Sequence, residues 1–321
     1  MIDLSIIIVS WNVRALLEKC LRSIEQDLTP TLSSKEREFT FEVFVVDNAS
    51  TDGTVGWLTN YELGIRNNTN DWLHNSLFII LNSQNKGFSA ANNQAIEQST
   101  GEYVLLLNPD TELKPYPWTS PLPGPAPARP AFGPSPARRG GNWQGEGTLG
   151  SMIAFMQSHL RCGVLGPRLL NTDGSLQRSI RRFPDAWSPT LMSLGMTPKK
   201  YLALHIDYAK PQIVDQVMGA CLLTRRSVIE NIGMLDERFF IWFEEVDFCK
   251  RAKDAGWEVW YTPDAAVMHH GGQSFAQAMT LKKQWWFSRS LLHYFWKHRQ
   301  FGAFIVNLIT TPVRLLISIF L

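Results

Sequence analysis

Apolar residues along the first hundred positions come in short unbroken runs separated by polar stretches. Residues 4–9 form a continuous Ile-rich run, the pattern of a parallel strand buried on both faces. Ser10-Trp11-Asn12 closes it, and Leu and Ile then recur at helical spacing through residues 15–24. Residues 41–46 read as a second strand. It ends in Asp47-Asn48-Ala49-Ser50-Thr51-Asp52-Gly53, a polar, Gly-terminated loop rich in helix-capping side chains. Residues 77–81 are a third strand, 90–98 a small-residue helix, and 103–107 a fourth strand stopped by Asn108-Pro109-Asp110. Strands alternating with helices predict an α/β fold with a mainly parallel, twisted sheet flanked by helices. Ligands bind such sheets outside the carboxyl ends of the strands. Ser10, Asp47, Asn48, Asp52, Asn85, Asn108 and Asp110 are predicted to converge there.

The pattern breaks from residue 115 to 147, where Pro, Gly, Ala and Arg dominate without an apolar period. This segment reads as a disordered or polyproline-like insert. Helical periodicity resumes at Leu149. Residues 164–170 then read as a strand, and 171–177 as a tight hairpin with Asp173-Gly174 as its turn. Arg178, Arg181 and Arg182 follow as a basic cluster. Guanidinium groups match phosphate oxygens in pairs, so Arg178 and Arg181 are candidates for a diphosphate, with solvated surface charge as the alternative. Residues 216–224 read as another buried strand, whose Gly219-Ala220 pair permits close approach by a ligand or another backbone.

The densest chemistry lies between residues 240 and 270. Glu244, Glu245 and Asp247 open a helical pattern directly after an aromatic run, and a short strand then delivers His269 and His270. Carboxylates and imidazoles at element tips suit metal-assisted proton transfer. The simpler reading of the same acids is a favourable interaction with the helix dipole.

A chain of 321 residues can bury a large core, as one big α/β domain or two modest ones. Its 45% hydrophobic content and mean hydropathy of −0.12 are ordinary for a soluble fold. A net charge of +2 offers no argument for nucleic acid, and no such partner is expected. Cys20, Cys162, Cys221 and Cys249 are scattered without C-x-x-C spacing, and read as small buried residues in a reducing compartment. The first residues enter a strand with no basic n-region, so no signal peptide is expected and the cytoplasm is the default. Neither G-x-G-x-x-G nor G-x-x-x-x-G-K-[ST] follows the strands, which demotes nicotinamide dehydrogenases and P-loop hydrolases.

Six segments in order carry a resemblance. They are Ile6-Ile-Ile-Val-Ser-Trp-Asn12, Val46-Asp-Asn-Ala-Ser-Thr-Asp-Gly53, Asn85-Lys-Gly-Phe-Ser-Ala-Ala-Asn-Asn93, Leu107-Asn-Pro-Asp-Thr111, Gly219-Ala-Cys-Leu-Leu-Thr-Arg225 and Phe243-Glu-Glu-Val-Asp247. Over residues 3–275, apart from the insert, the chain resembles the family 2 glycosyltransferases, and within them the rhamnosyltransferase-like branch that builds bacterial cell-surface polysaccharides. The resemblance implies a GT-A fold and inverting transfer from a nucleoside-diphosphate sugar to a saccharide or polyprenyl-linked acceptor. By position, Asp47 would hold the donor's pyrimidine, with Ser10, Asn12 and Asn48 nearby. Asn85, Gly87, Asn92 and Asn108 would add further donor contacts. Asn108-Pro109-Asp110 stands where the family carries its D-x-D metal motif. Asp110 would then be the main ligand to Mg²⁺ or Mn²⁺, with His269 as an additional one and His270 as a packing or donor-phosphate residue. Glu245 aligns with the catalytic base, usually Asp in the family, and Glu244 is the alternative. Gly219 and Ala220 are carried as acceptor or diphosphate contacts, and Asp247 as a structural residue. dTDP-rhamnose is the leading donor. The alternatives are a UDP-sugar transferase, galactofuranosyl or hexosyl, and an inactive nucleotide-sugar-binding protein of the same fold.

The last part, residues 276–321, reads as a helical tail appended to a 1–275 catalytic domain. Lys282, Arg289, His293 and Lys297 share one helical stripe and Leu281, Trp285, Leu292 and Phe295 another, as in an interfacial amphipathic helix. Residues 301–321 are almost wholly apolar but carry Asn307, Pro312 and Arg314. Both an in-plane helix and a membrane span remain open. The tail predicts peripheral contact at the inner face of the cell membrane, and the alternative is packing on the catalytic domain.

Overall fold

Every residue of β1 (Leu4–Ser10) is buried, and its side chains divide by alternation. Leu4, Ile6 and Ile8 join one core, with Leu17 and Leu21 of α1 (Arg14–Leu32); Ile7 and Val9 join a second core on the other face. This two-sided burial explains the unbroken apolar run. The computed structural model describes residues 2–32, 40–67, 73, 75–114, 147–271 and 280–320. All of the Pro-rich insert except Gly147 lies outside them, and Gly147 opens a helix.

β2 (Phe41–Asp47), α2 (Thr54–Arg66), β3 (Leu77–Leu81), α3 (Phe88–Gln98) and β4 (Tyr103–Leu107) follow as the pattern predicts. The three later strands all run parallel to β1, in the order β3-β2-β1-β4. After β5 (Thr111–Leu113) come α4 (Gly147–Ser158), β6 (Cys162–Leu170), β7 (Leu176–Gln177), α5 (Ser188–Ser193) and β8 (Gln212–Ile213). β9 (Cys221–Arg225), α6 (Arg226–Ile232), α7 (Glu244–Asp254) and β10 (Glu258–His269) complete the sheet layer. α8 (Thr280–Lys297) and α9 (Phe301–Phe320) end the chain.

One strand boundary is corrected. The strand expected over 216–224 begins at Cys221, because Gln216 instead bridges Arg181. β9 lies antiparallel between β4 and β6 and continues the sheet into a mixed second half. The strand that delivers His269 is twelve residues long, Glu258–His269, broken in register between Thr262 and Ala266.

The four tail cations do not form a common outward stripe. His293 and Lys297 of α8 meet Asp236 at 3.2 and 2.8 Å, and Lys297 also meets Asp247 at 2.9 Å. Behind these bonds Leu291, Tyr294 and Phe295 pack on Phe239, Phe243 and Val246 in a third core. α8 is thus held against α7 by apolar burial and by charge pairing to the buried carboxylates Asp236 and Asp247.

Candidate active site

Strand order reverses at β1, whose neighbours β2 and β4 come from opposite directions along the sheet. A cleft of about 300 Å³ opens at this point, outside the carboxyl ends of β1 and β4. Asn48, Asn85, Gly87, Asn108, Asp110, Gly219, Ala220, Glu244, Glu245 and His269 all line it. Of the residues carried forward, Ser10, Asn12, Asp47, Asn92, Arg178 and Arg181 are not in its lining.

The two glutamates arrive on a strained turn. Trp242 and Phe243 both adopt left-handed backbone, at φ +61° and +71°, immediately before α7. Bulky residues persist there only when surrounding packing over-determines them. Trp242 and Phe243 each pack on Phe287 of α8, and Phe243 also on Tyr294. The first turn of α7 then directs Glu244 and Glu245 into the cleft, where Oε2 of each is buried without a hydrogen-bond partner. Burial pushes both carboxyls up. The Glu245 charge raises Glu244 further, while backbone N–H groups at 243, 245 and 246 hold Glu245 back. The pair therefore resists carrying two charges at once. Gly219 faces it, and a Cβ there would lie 3.4 Å from Glu245 Cβ, in ordinary contact.

Asp247 points away from the cleft. Its carboxylate accepts from Arg251 Nε at 2.8 Å, Lys297 Nζ at 2.9 Å and His298 Nε2 at 2.9 Å. Burial alone would raise it, but the His298 hydrogen bond and the Arg251 and Lys297 charges outweigh burial and hold it below the usual range.

Asp110 and His269 meet because β5 pairs antiparallel with β10, setting His269 opposite Thr111, with His270 N–H donating to Asp110 O at 2.9 Å. His269 Nε2 lies 3.5 Å from Asp110 Oδ1. Gln177 fixes the tautomer. Its amide nitrogen donates to Asn171 Oδ1 and His269 O, so its Oε1 accepts from His269 Nδ1 at 2.7 Å. In the neutral ring this turns the Nε2 lone pair toward a carboxylate oxygen, an arrangement that a cation between them would relieve. Asn108 Oδ1, buried and without a partner, is a further hard oxygen in the lining. Among the described residues no three His, Cys, Asp or Glu side chains gather to hold a metal alone. The set fits Mg²⁺ or Mn²⁺ of the kind that takes few protein ligands and fills its shell with phosphate oxygens and water. His270 instead meets Glu112 Oε1 at 2.7 Å.

The remaining candidates divide by what their polar atoms do. Asn48 knits the loops together, donating to Asn85 Oδ1 and Gly87 O and accepting from Lys86 N–H. Asn92 Nδ2 is turned into its own helix, onto Phe88 O, and Asn12 Oδ1 accepts from Thr51 N–H. Asp47 Oδ2 accepts from Ser50 N–H, whereas Asp47 Oδ1 and Ser10 Oγ are buried without partners. Buried polar atoms of that kind require an explanation such as a ligand or water. Arg178 is exposed over the Tyr208 ring, and Arg181 Nη1 donates to Arg178 O and Ile180 O. The basic cluster thus stands apart from the cleft lining. Pattern reading missed Trp286, which lines the cleft from α8 and stacks on Phe240 with ring centroids 4.9 Å apart. Trp285 beside it is exposed, and sequence spacing alone does not separate the two.

A family model described as Glycosyl transferase family 2 matches residues 5–233, and a second, Glycosyltransferase like family 2, matches residues 200–288. The chain belongs to glycosyltransferase family 2. It is 26% identical over 293 residues to an N-acetylglucosaminyl-diphospho-decaprenol L-rhamnosyltransferase of Mycobacterium tuberculosis, covering 84% of this chain and 77% of that protein. It is 27% identical over 255 residues to the low-salt glycan biosynthesis hexosyltransferase Agl10 of Haloferax volcanii, covering 78% of this chain and 62% of that protein. In fold it is similar to a mannosyltransferase of Pyrobaculum calidifontis in complex with GDP-Man and Mn²⁺. The TM-score is 0.54 at 14% identity, over 98% of this chain and 72% of that one. The α/β GT-A architecture and the glycosyltransferase class expected from the motifs are thereby shown.

Proposed function

We propose that this glycosyltransferase moves a sugar, with rhamnose from dTDP-rhamnose as the leading case, onto a saccharide or polyprenyl-linked acceptor by inverting displacement. The observation that carries the chemistry is the buried Glu244–Glu245 pair in the first turn of α7, which lines one cleft with the Asp110–His269 pair. Glu245, which faces Gly219 in the cleft, takes the proton of the acceptor hydroxyl. The hydroxyl oxygen bonds to the anomeric carbon from the face opposite the diphosphate, the carbon–oxygen bond to phosphate breaks, and the nucleoside diphosphate leaves with the electron pair. Like-charge repulsion between the two buried carboxyls keeps one proton on the pair and leaves a single negative charge at the site.

Asp110 and His269 are proposed to hold Mg²⁺ or Mn²⁺, with Gln177 fixing the His269 ring. When bound, the ion supplies Lewis-acid neutralisation of the leaving diphosphate. Asp47 Oδ1 and Ser10 Oγ are proposed to meet the donor base, with Asn48, Asn85 and Gly87 shaping the loop beside it. The polyprenyl-linked acceptor and the site of work, at the inner face of the membrane, draw support from the mycobacterial relative, whose name specifies a diphospho-decaprenol substrate. The hexosyltransferase relative keeps a UDP-hexose open as the second reading.

Thermal shift with dTDP, UDP and GDP, each with and without Mn²⁺, tests the donor. Stabilisation by dTDP that needs metal is the expected result, and preference for UDP or GDP overturns the rhamnose assignment. Transfer assays on Glu245→Gln test the base.

A further inference from the structure

α9 is a helix turned inside out. Its buried stripe is polar: Asn307, Thr311, Arg314 and Ser318. Its exposed stripe, Phe301, Ile305, Leu308, Ile309, Val313 and Leu316, holds no hydrogen-bonding side chain, and Ile309 and Leu316 are 69% and 59% exposed. A helix folded for water alone has the opposite polarity. The polar side is an anchor. Arg314, 1% exposed, donates to Asn307 Oδ1 at 2.7 Å, Thr311 Oγ1 at 2.8 Å and Thr190 Oγ1 at 3.3 Å, while Asn307 Nδ2 donates to Ala186 O at 2.9 Å. The bonds to Thr190 and Ala186 fasten α9 to α5 and the turn before it, while those to Asn307 and Thr311 brace Arg314 within α9. Exposed apolar residues flank this contact, Trp187 just before α5, Met192 on it, and Leu194 and Met196 after it.

We propose that the outward stripe of α9, joined by residues 187–196, is a bilayer-docking surface that lies in the membrane interface without crossing it. By length and composition residues 301–318 suit a span. A crossing helix would have to take Arg314 from Thr190 and Asn307 from Ala186 and carry the guanidinium into hydrocarbon, which is unfavourable. Lipid rather than a protein partner follows from the chemistry of the face. Its centre offers only apolar contact, which hydrocarbon satisfies with no matching geometry. Flanking its two segments in sequence are exposed Trp187, Trp296, Arg299, Lys199 and Lys200, the aromatic and cationic types that favour headgroups and anionic lipid. The surface deepens the proposed membrane location and rests on that reading only for the lipid-linked acceptor. No donor or acceptor enters its test.

Co-sedimentation of the full chain with phosphatidylcholine vesicles, with and without phosphatidylglycerol, is the experiment. Binding is expected to both, more tightly with the anionic lipid. Ile309→Glu with Leu316→Glu, and separately Leu194→Glu, should each weaken it by about tenfold or more while leaving the melting temperature and donor hydrolysis intact. External protease should remove a C-terminal tag from the vesicle-bound protein. Absence of vesicle binding, unchanged binding by the variants, or a dimer that the α9 variant dissolves would each overturn the proposal. Protection of the tag would overturn the in-plane placement.

Discussion

Gly87 and Phe240 meet so closely that a Cβ on Gly87 would lie 2.7 Å from both the ring Cδ2 and the carbonyl oxygen of Phe240. The Phe88 N–H donates to that same carbonyl at 2.7 Å. Gly87 also sits at φ +88°, ψ 169°, a region that essentially only glycine occupies. The loop around Gly87 and the run ahead of the glutamates, far apart in sequence, are therefore one wall. Gly87→Ala should lose about 2–4 kcal/mol by denaturant melts, from strain and overpacking together. Transfer should fall with it.

The glutamate pair predicts an unusual pH dependence. A carboxyl raised in the fold binds more protons folded than unfolded, so stability falls as pH rises from about 4.3 towards the folded value. Glu244→Gln and Glu245→Gln should each raise the melting temperature at pH 8 relative to wild type and flatten this decline. Glu245→Gln should also lose about a hundredfold or more in transfer rate. Retained transfer by Glu245→Gln would remove it from the role of base.

Asp247 and Asp236 act in the opposite sense. Both are held below the usual range, net of burial, by cationic partners that include Lys297. Their stabilisation is present above about pH 3.9 and is lost as pH falls through the folded values. Asp247→Asn should cost about 3 kcal/mol, since it leaves His298, Arg251 and Lys297 short of a buried partner. It should also blunt the acid limb of the stability profile.

Gln177 touches the proposed metal site only through His269. Gln177→Ala should weaken Mn²⁺ binding about 10–100-fold by calorimetry in the presence of nucleoside diphosphate. Asp110→Asn should abolish the metal-dependent part of nucleotide stabilisation. Equal binding by both variants would displace the metal from this pair.

Trp286 offers an aromatic face in the cleft. Trp286→Ala should raise the acceptor KM by about tenfold or less, the range of a lost stacking contact, with donor KM nearly unchanged. A purely structural role would instead lower the melting temperature and move both constants.

The parallel half of the sheet and its polar edge are legible because their signals are local. An unbroken apolar run can satisfy two buried faces, and a polar loop must end it. Asn48, Asn108 and Asp110 were readable in this way, as was the clustering of Glu244 and Glu245. The Asp110–His269 meeting was readable only through family resemblance, since it depends on the three-residue β5 pairing with a strand some 150 positions later. The distance of Arg178 and Arg181 from the cleft lining had no local signal either.

By itself the sequence determined the α/β alternation, the family, and which residues had chemistry to offer, because periodicity and motif order are properties of neighbours. Only the tertiary structure decided which of them share a cleft. It turned Trp286 inward and Trp285 outward, made Asp247 a clasp for α8, and set the polar side of α9 against the domain. The physical reason is common to all of these. A side chain's surroundings are set by long-range packing and by the need to partner buried charge, and Lys297 and Arg314 show which way each tail helix had to face.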